Sequence, residues 1–422
     1  MDKIDLMDLY EKKIVKEGGH NINVPISRAN GEKYSGKTYS IPLKYLYYNE
    51  QNGRIGVELS NYESLGNRLI PGHSEEYNMA IQSILVDENR VTKKDMDELK
   101  RDIANKGQAD PGYVLRDGRV IDGNRRFTAK RMLEQDPLVA ETQYFEAVIL
   151  DDLYLQNHDD QKRIKSLELQ IQFGRLDKVD YSPIDRAVDA YKTIKIKNLM
   201  SVKEYANFAG LTPSKVNNRI LEAELIVKFL EFANARVDNY ALAKQLDMDG
   251  PLQDMLAQYR KIKNSDKLDQ ILYSLFAKII QMKSSNEEFK QGYREIVNNV
   301  IGTKNEENFI EEMEDATDII VEALEQKEVI DDNHDLFTVL HSKPETVKAL
   351  AEIKTISTNY SERAKNIKEQ NMPIMLANKA ISNLEAIDKD VVLGLPDSEL
   401  IKLNKNLLTL KSKIDELLSE GE

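Results

Sequence analysis

The stretch VLRDGRVIDGNRRFTAKRML, residues 114–133, restricts the fold more than any other part of the chain. Two apolar runs, YVLR and RVID, are joined by Asp117-Gly118, a pair that favours a two-residue type I′ hairpin turn. Gly123 then lets the backbone bend sharply. NRRFTAKRMLEQ continues as a helix whose Phe127, Met132 and Leu133 can face a core. Strand signals flank this unit. YSIPLKYLYYN (39–49) reads as a strand followed by a turn at NEQNGR, and YFEAVIL (144–150) reads as another. TKKDMDELKRDIANKG (92–107) reads as a helix, with Thr92 as N-cap, Met96, Leu99 and Ile103 as its apolar stripe and Gly107 closing it. Residues 53–90 carry no clear assignment beyond a loop at PGH (71–73). The expectation is a small α+β domain over 39–155, preceded by an extension, 1–38, made of a short helix and a loop.

Beyond 155 the strand signals fade and the expectation turns all-α. DQKRIKSLELQIQFG (160–174) and SPIDRAVDAYKTIKIK (182–197) read as helices, the second with Ser182 as N-cap and Pro183 in the favoured first helical position. SVKEYANFAG followed by LTPSKVNNRILEAELIVKFLEF (201–232) reads as helix, tight glycine turn, helix. This closes a helical helix-turn-helix domain over 156–235. Residues 236–395 are helical in pattern. In 396–422, Leu400, Leu403, Leu407, Leu410, Ile414 and Leu417 follow a 3-4 spacing, an a/d heptad seam of about three heptads. That seam suits either one amphipathic helix inside a bundle or a seam between two chains.

The chain has 422 residues and a formal net charge of −13. The imbalance is local. Residues 306–335 contain thirteen acids and one lysine, so the remainder is near neutral and has room for a basic site. Within 306–335, Phe309, Met313, Ile320 and Leu324 make a buried stripe on an otherwise solvated helix. The same acids also suit a face for a basic partner or a shield over the chain's own basic cleft. Cysteine is absent, which removes disulfides, thiolate metal sites and thiol nucleophiles. The five scattered histidines include no HExxH pair. No apolar run is long enough to span a bilayer and no signal-like stretch opens the chain, so the expected compartment is the cytoplasm, with no membrane partner.

Residues 116–131 hold six basic and two acidic side chains. A helix start offers unpaired N–H groups and a positive dipole end. Glycine lets a phosphate approach the backbone there, and Arg125 and Arg126 add donors suited to phosphate oxygens. From pattern alone, a solvated helix start with surface arginines fits equally. In the helix-turn-helix, Ala206, Gly210, Leu211 and Val216 supply the small residue, the turn glycine and two core residues. Thr212 caps the second helix, and Ser214, Lys215, Asn217, Asn218 and Arg219 are expected to face outward. Asn and Arg suit base edges, Lys and Ser suit phosphates. Residues 201–225 are charge-neutral, so a structural helical hairpin remains the other reading.

The order of these segments resembles the ParB/sulfiredoxin-like superfamily over roughly 39–232. Gly107, Gln108, Pro111 and Val114 match its first box. Gly123, Asn124, Arg125, Arg126, Phe127, Thr128 and Ala129 match the second. Gln172, Ser182, Pro183, Ile184, Asp185, Ala187 and Tyr191 follow the third, and a helix-turn-helix comes next, as in ParB proteins. The resemblance implies an α+β N-terminal ParB/sulfiredoxin-like domain with a nucleoside triphosphate, CTP in ParB, bound with Mg²⁺. Its nucleotide-binding residues would be Gly107, Gln108, Gly123, Asn124, Arg125 and Arg126. It further implies DNA as partner through Thr212, Ser214, Lys215, Asn217, Asn218 and Arg219, and a homodimer. A partner ATPase or a defence-system protein is also implied, in segregation, regulation or a mobile-element or phage-defence setting. Asn124 stands where the family places glutamate. Asn cannot act as a general base, so nucleotide binding is expected and hydrolysis is left to the candidates Asp122 and Glu168. A metal-dependent nuclease, using Asp122, Glu168 and Asp110, and a small-molecule kinase are the alternatives within the same fold. Sulfiredoxin chemistry itself is excluded by the absence of cysteine.

Overall fold

The hairpin lies near one edge of a six-stranded mixed sheet of order β1-β2-β6-β4-β5-β3. The computed structural model describes residues 4–51, 55–66, 68–86, 92–139, 141–174, 182–285 and 291–419. In chain order the sheet half contains α1 (Leu6–Glu11), β1 (Lys16–Asn21), β2 (Lys37–Pro42), β3 (Tyr47–Tyr48), α2 (Gly56–Ser64), α3 (Glu75–Leu85), α4 (Thr92–Lys106), β4 (Gly112–Leu115), β5 (Arg119–Asp122), α5 (Asn124–Glu134) and β6 (Tyr144–Leu150). The architecture is α+β at the N-terminus followed by helices.

The strand period of two places alternate residues on opposite faces, and β4 shows it directly. Val114 packs with Val120, Tyr48, Phe127 and Phe145 on one face. Tyr113 and Leu115 pack with Ile121, Leu150, Ile164 and Leu167 on the other. The central strands are therefore covered on both sides, by α5 on one and by α6 (His158–Gly174) on the other.

Three local expectations are corrected. The hairpin turn has three residues, not two. Gly118 N–H donates to Leu115 O at 3.0 Å, and Gly118, not Asp117, takes the positive φ, 90°. A Cβ at Gly118 would lie 2.1 Å from Tyr45 O. Asp117 instead accepts from its neighbours, from Arg119 N–H at 3.1 Å and from the Tyr47 hydroxyl at 2.6 Å. Second, YSIPLKYLYYN is two strands. Pro42 has no N–H to extend the ladder, and a 3₁₀ turn at Leu43–Tyr45 carries the chain from β2 across to β3, which pairs parallel with β5 at the opposite edge. Third, the extension is not only helix and loop. KEGGHN forms β1, antiparallel to β2. It is exposed except at the half-buried Gly18 and has no apolar alternation; backbone pairing holds it, together with Glu146, which accepts from His20 N–H (2.9 Å) and the Thr38 hydroxyl (2.6 Å).

The helical half continues with α6, α7 (Pro183–Tyr191, extended by a π turn over Lys192–Ile196), α8 (Val202–Ala209), α9 (Pro213–Phe232), α10 (Tyr240–Gln245), α11 (Asp249–Ile262), α12 (Leu268–Ser284), α13 (Gln291–Asn299), α14 (Glu306–Glu325), α15 (Asn333–His341) and the start of α16 (Pro344–Glu385). The acidic segment forms α14 as expected, with Phe309, Met313, Ile320 and Leu324 fully buried and Ala316 filling the longer step. Lys244 on α10 binds Glu58 on α2 (2.6 Å) and Asp185 on α7 (3.0 Å), so sheet half and helices belong to one compact unit, Met1–Thr358. None of the described helices is long and apolar enough to cross a membrane.

A second unit, Asn359–Glu422, contains the rest of α16, then α17 (Lys389–Leu393) and α18 (Asp397–Ser419). It leaves Ile374, Met375, Leu376 and Ile381 exposed on α16. Of the heptad seam on α18, Leu400, Leu403 and Leu410 are half-buried, while Leu407 and Ile414 are exposed. The side chain of Leu417 lies outside the described residues, as do those of Thr92 and Gln172.

Candidate functional site

β5 ends at Asp122, and Gly123 turns the chain into α5 at φ 100° and ψ 17°. This left-handed conformation suits glycine, and a Cβ would sit 2.8 Å from Phe145 Cζ. Glycine offers no side chain to cap the helix. Asn124, the first helical residue, is only 6% exposed, yet neither its Oδ1 nor its Nδ2 has a hydrogen-bond partner. Four residues on, the buried Thr128 hydroxyl donates to Asn124 O (2.9 Å) and bonds the Tyr48 hydroxyl (2.8 Å). Arg125 is half-buried.

Arg126 does a different job from the one its position suggests. It donates to Asp110 O at 2.6 Å and to the Asp122 carboxylate at 3.0 Å, bracing the loop before β4 against the end of β5. Gln108 is likewise structural. Its Nε2 donates to Glu146 O (2.7 Å) and its Oε1 accepts from Glu146 N–H (3.0 Å), a two-point pairing onto β6. Gly107 takes φ 79° and its N–H donates to Ile103 O (2.9 Å), which ends α4. The first-box residues thus shape the loop that Arg126 holds.

β3 and β5 run parallel, so their C-terminal ends point the same way. After β3, buried Asn49 donates to Glu168 Oε1 on α6 at 3.0 Å. There a cavity of about 300 Å³ opens between α2, α6, α7 and the π turn, with Glu50, Ser60, Lys165, Glu168, Asp189 and Lys192 among its walls. Lys165 lies 2.5 Å from Asp189 and 3.4 Å from Glu168, and the Tyr205 hydroxyl donates to the other Asp189 oxygen at 2.8 Å. Lys192 bonds the Ser60 hydroxyl. Burial pushes the Glu168 carboxyl up to about 7, against the pull of Lys165. Burial opposes the Lys165 charge, but Asp189 and Glu168 outweigh it and raise that group. The walls carry three lysines and five carboxylates. Gly123, Asn124, Arg125 and Arg126 do not line this cavity. It connects to the start of α5 through the hydrogen-bonded run Glu168–Asn49, then Tyr48–Thr128.

The three carboxylates expected for metal chemistry are not gathered. Asp110 and Asp122 meet around Arg126, whereas Glu168 lies in the cavity. Among the described residues no group of three or more His, Asp or Glu side chains is placed to hold a metal. Sequence reasoning missed Asn49, Lys165 and Asp189. The available signal was KSLE, two charges three apart on α6 between Ile164 and Leu169, a segment that is buried throughout.

The helix-turn-helix forms as expected. Ser201 caps α8 in a capping box with Glu204, Gly210 ends it at φ 64°, and Thr212 caps α9 with Pro213 in its first turn. Ala206 and Val216 are fully buried between the helices. Thr212, Ser214, Lys215 and Asn217 are exposed, while Asn218 is half-buried and bonded by Arg260. Arg219 departs from expectation. It is half-buried, burial lowers its pKa, and the Tyr205 hydroxyl lies against it, so it belongs to the packing of α8 on α9. Comparison of the chain with protein-family models and with curated proteins finds no match to either.

Proposed function

We propose that this is a nucleotide-responsive DNA-binding protein, with a nucleoside triphosphate held at the start of α5 and duplex DNA bound by α8 and α9. The observation that carries the nucleotide half is Asn124. Buried polar side chains nearly always find a partner, and this one has none at a helix start whose N–H groups favour anions. Gly123, Asn124 and Arg125 are the residues that would hold the phosphates, with Arg126 bracing them. A triphosphate suits this helix start and not the cavity, where carboxylates outnumber lysines; the polar cavity wall suits the uncharged nucleoside portion. CTP is the nucleotide that the sequence resemblance favours. Mg²⁺ keeps several waters and takes few protein ligands, so it would arrive on the phosphates, whose charge it offsets when bound. Glu168 is committed to Asn49 and Lys165, and Asn124 is no base, which favours binding over hydrolysis.

The DNA half is supported by the exposed Ser214, Lys215 and Asn217 on the first turns of α9. A homodimer through α18 accords with its heptad spacing. The test is duplex-DNA affinity with and without saturating nucleotide. Coupled sites change each other's affinity by about fivefold or more; equal DNA affinity in both conditions would sink the switch.

A further inference from the structure

The last turn of α11 sets Arg260 beside α9, with Lys261 and Lys263 following it in the chain. Arg260 Nη2 donates to Asn218 Oδ1. The C-terminal end of α11 lies level with the first turns of α9. On α9, Lys215 lies three residues, about 4.5 Å along the axis, before Asn218. Arg260, Lys261, Lys263 and Lys215 are all exposed, and none has an ion-pair partner among the described residues. Their neighbours are paired: Lys228 with Glu231 and Asp269, Lys267 with Glu307, Arg294 with Asp254.

We propose that Arg260, Lys261 and Lys263 form a second strip of DNA-backbone contacts flanking the first turns of α9. This rests on the DNA-binding reading of α8 and α9 and extends it to an element outside the helix-turn-helix. It supplies the basic footprint that the charge-neutral 201–225 segment lacks. It also reassigns Asn218. Its Oδ1 holds the Arg260 guanidinium in place, with guanidinium donors left over for phosphate oxygens.

The test is the salt dependence of binding to a 30-base-pair random duplex, for the full chain, for Lys215→Gln, and for the combined Arg260→Gln, Lys261→Gln, Lys263→Gln variant. Each phosphate contact contributes about 0.9 to the slope of log K against log salt. The combined variant is expected to lose about 2–3 units of slope, and Lys215→Gln about 1. A Lys261→Gln, Lys263→Gln pair leaves the Arg260–Asn218 bond intact and is expected to lose about 2. Unchanged slopes in both α11 variants, with Lys215→Gln weakened, would overturn this proposal and leave the helix-turn-helix reading standing. No duplex binding by the unaltered chain at low salt would overturn both.

Discussion

At the residue scale, the start of α5 departs from what a helix start of stable protein needs. Leaving a buried amide unbonded costs about 1–3 kcal/mol, and Asn124 carries that cost on both of its polar atoms. Leu has the same branched arrangement of side-chain heavy atoms and no polar atoms. Asn124→Leu is therefore expected to raise the stability of the ligand-free protein by about 1 kcal/mol in urea titration, while weakening nucleotide binding. A clear loss of stability would mean that the amide has a structural role instead. Glu168 makes a second, independent prediction. Its folded-state pKa, about 7, lies above the ordinary carboxylate value of 4.5. The folded chain thus holds a proton that the unfolded chain releases between those values, so this group's contribution is fully present below pH 4.5 and is lost as pH rises through 7. Gln removes the dependence. Glu168→Gln should gain stability relative to the unaltered chain between pH 5 and pH 8, as measured by thermal unfolding; a constant difference across that range would contradict it.

At the element scale, α18 leaves Leu407 and Ile414 exposed on a heptad seam. Two copies pairing through that seam would cover them. Light scattering on the full chain should give a dimer mass, falling toward the monomer on Leu407→Lys with Ile414→Lys; a monomer in the unaltered chain would leave the seam without this role. The elements that were legible in the sequence share one property, that local chemistry decides them. The caps Ser201 and Thr212 with Pro213, the glycine ends Gly107 and Gly210, the place of the hairpin though not the length of its turn, and the stripe of α14 were readable for that reason. What was not legible depends on distant partners. β1 has no apolar alternation and exists through pairing with β2. The split of 39–49 follows from Pro42 and from two different neighbours, β6 and β5. α2 and α3 fall in residues that gave no clear pattern, and α2 has almost no apolar contrast between its faces: Val57 and Leu59 are both buried, on different sides. At the site, the turn at Gly123 was legible. The engagement of Arg126 by Asp110 and Asp122 was not, because an arginine in a phosphate-like motif and an arginine bracing a loop look alike in sequence.

At the scale of the whole molecule, two candidate surfaces occupy one compact unit. The start of α5 and the cavity lie at the sheet's edge, and α6 and α7 run from the cavity into the packing of the helix-turn-helix. Asp189 makes that link concrete, bonding Lys165 in the cavity wall and Tyr205 on α8. A ligand that alters the cavity therefore acts one residue away from the packing of α8 on α9, where Arg219 also meets Tyr205. The central claim is that a nucleotide is the missing partner of the α5 start. Isothermal titration of the full chain with each of the four ribonucleoside triphosphates and Mg²⁺ tests it most directly, alongside Arg125→Ala. Saturable binding of at least one nucleotide, CTP first, weakened at least about tenfold by Arg125→Ala (about 1.4 kcal/mol), is the expected result. No binding of any of the four at millimolar concentration, or binding that Arg125→Ala leaves unchanged, would contradict it.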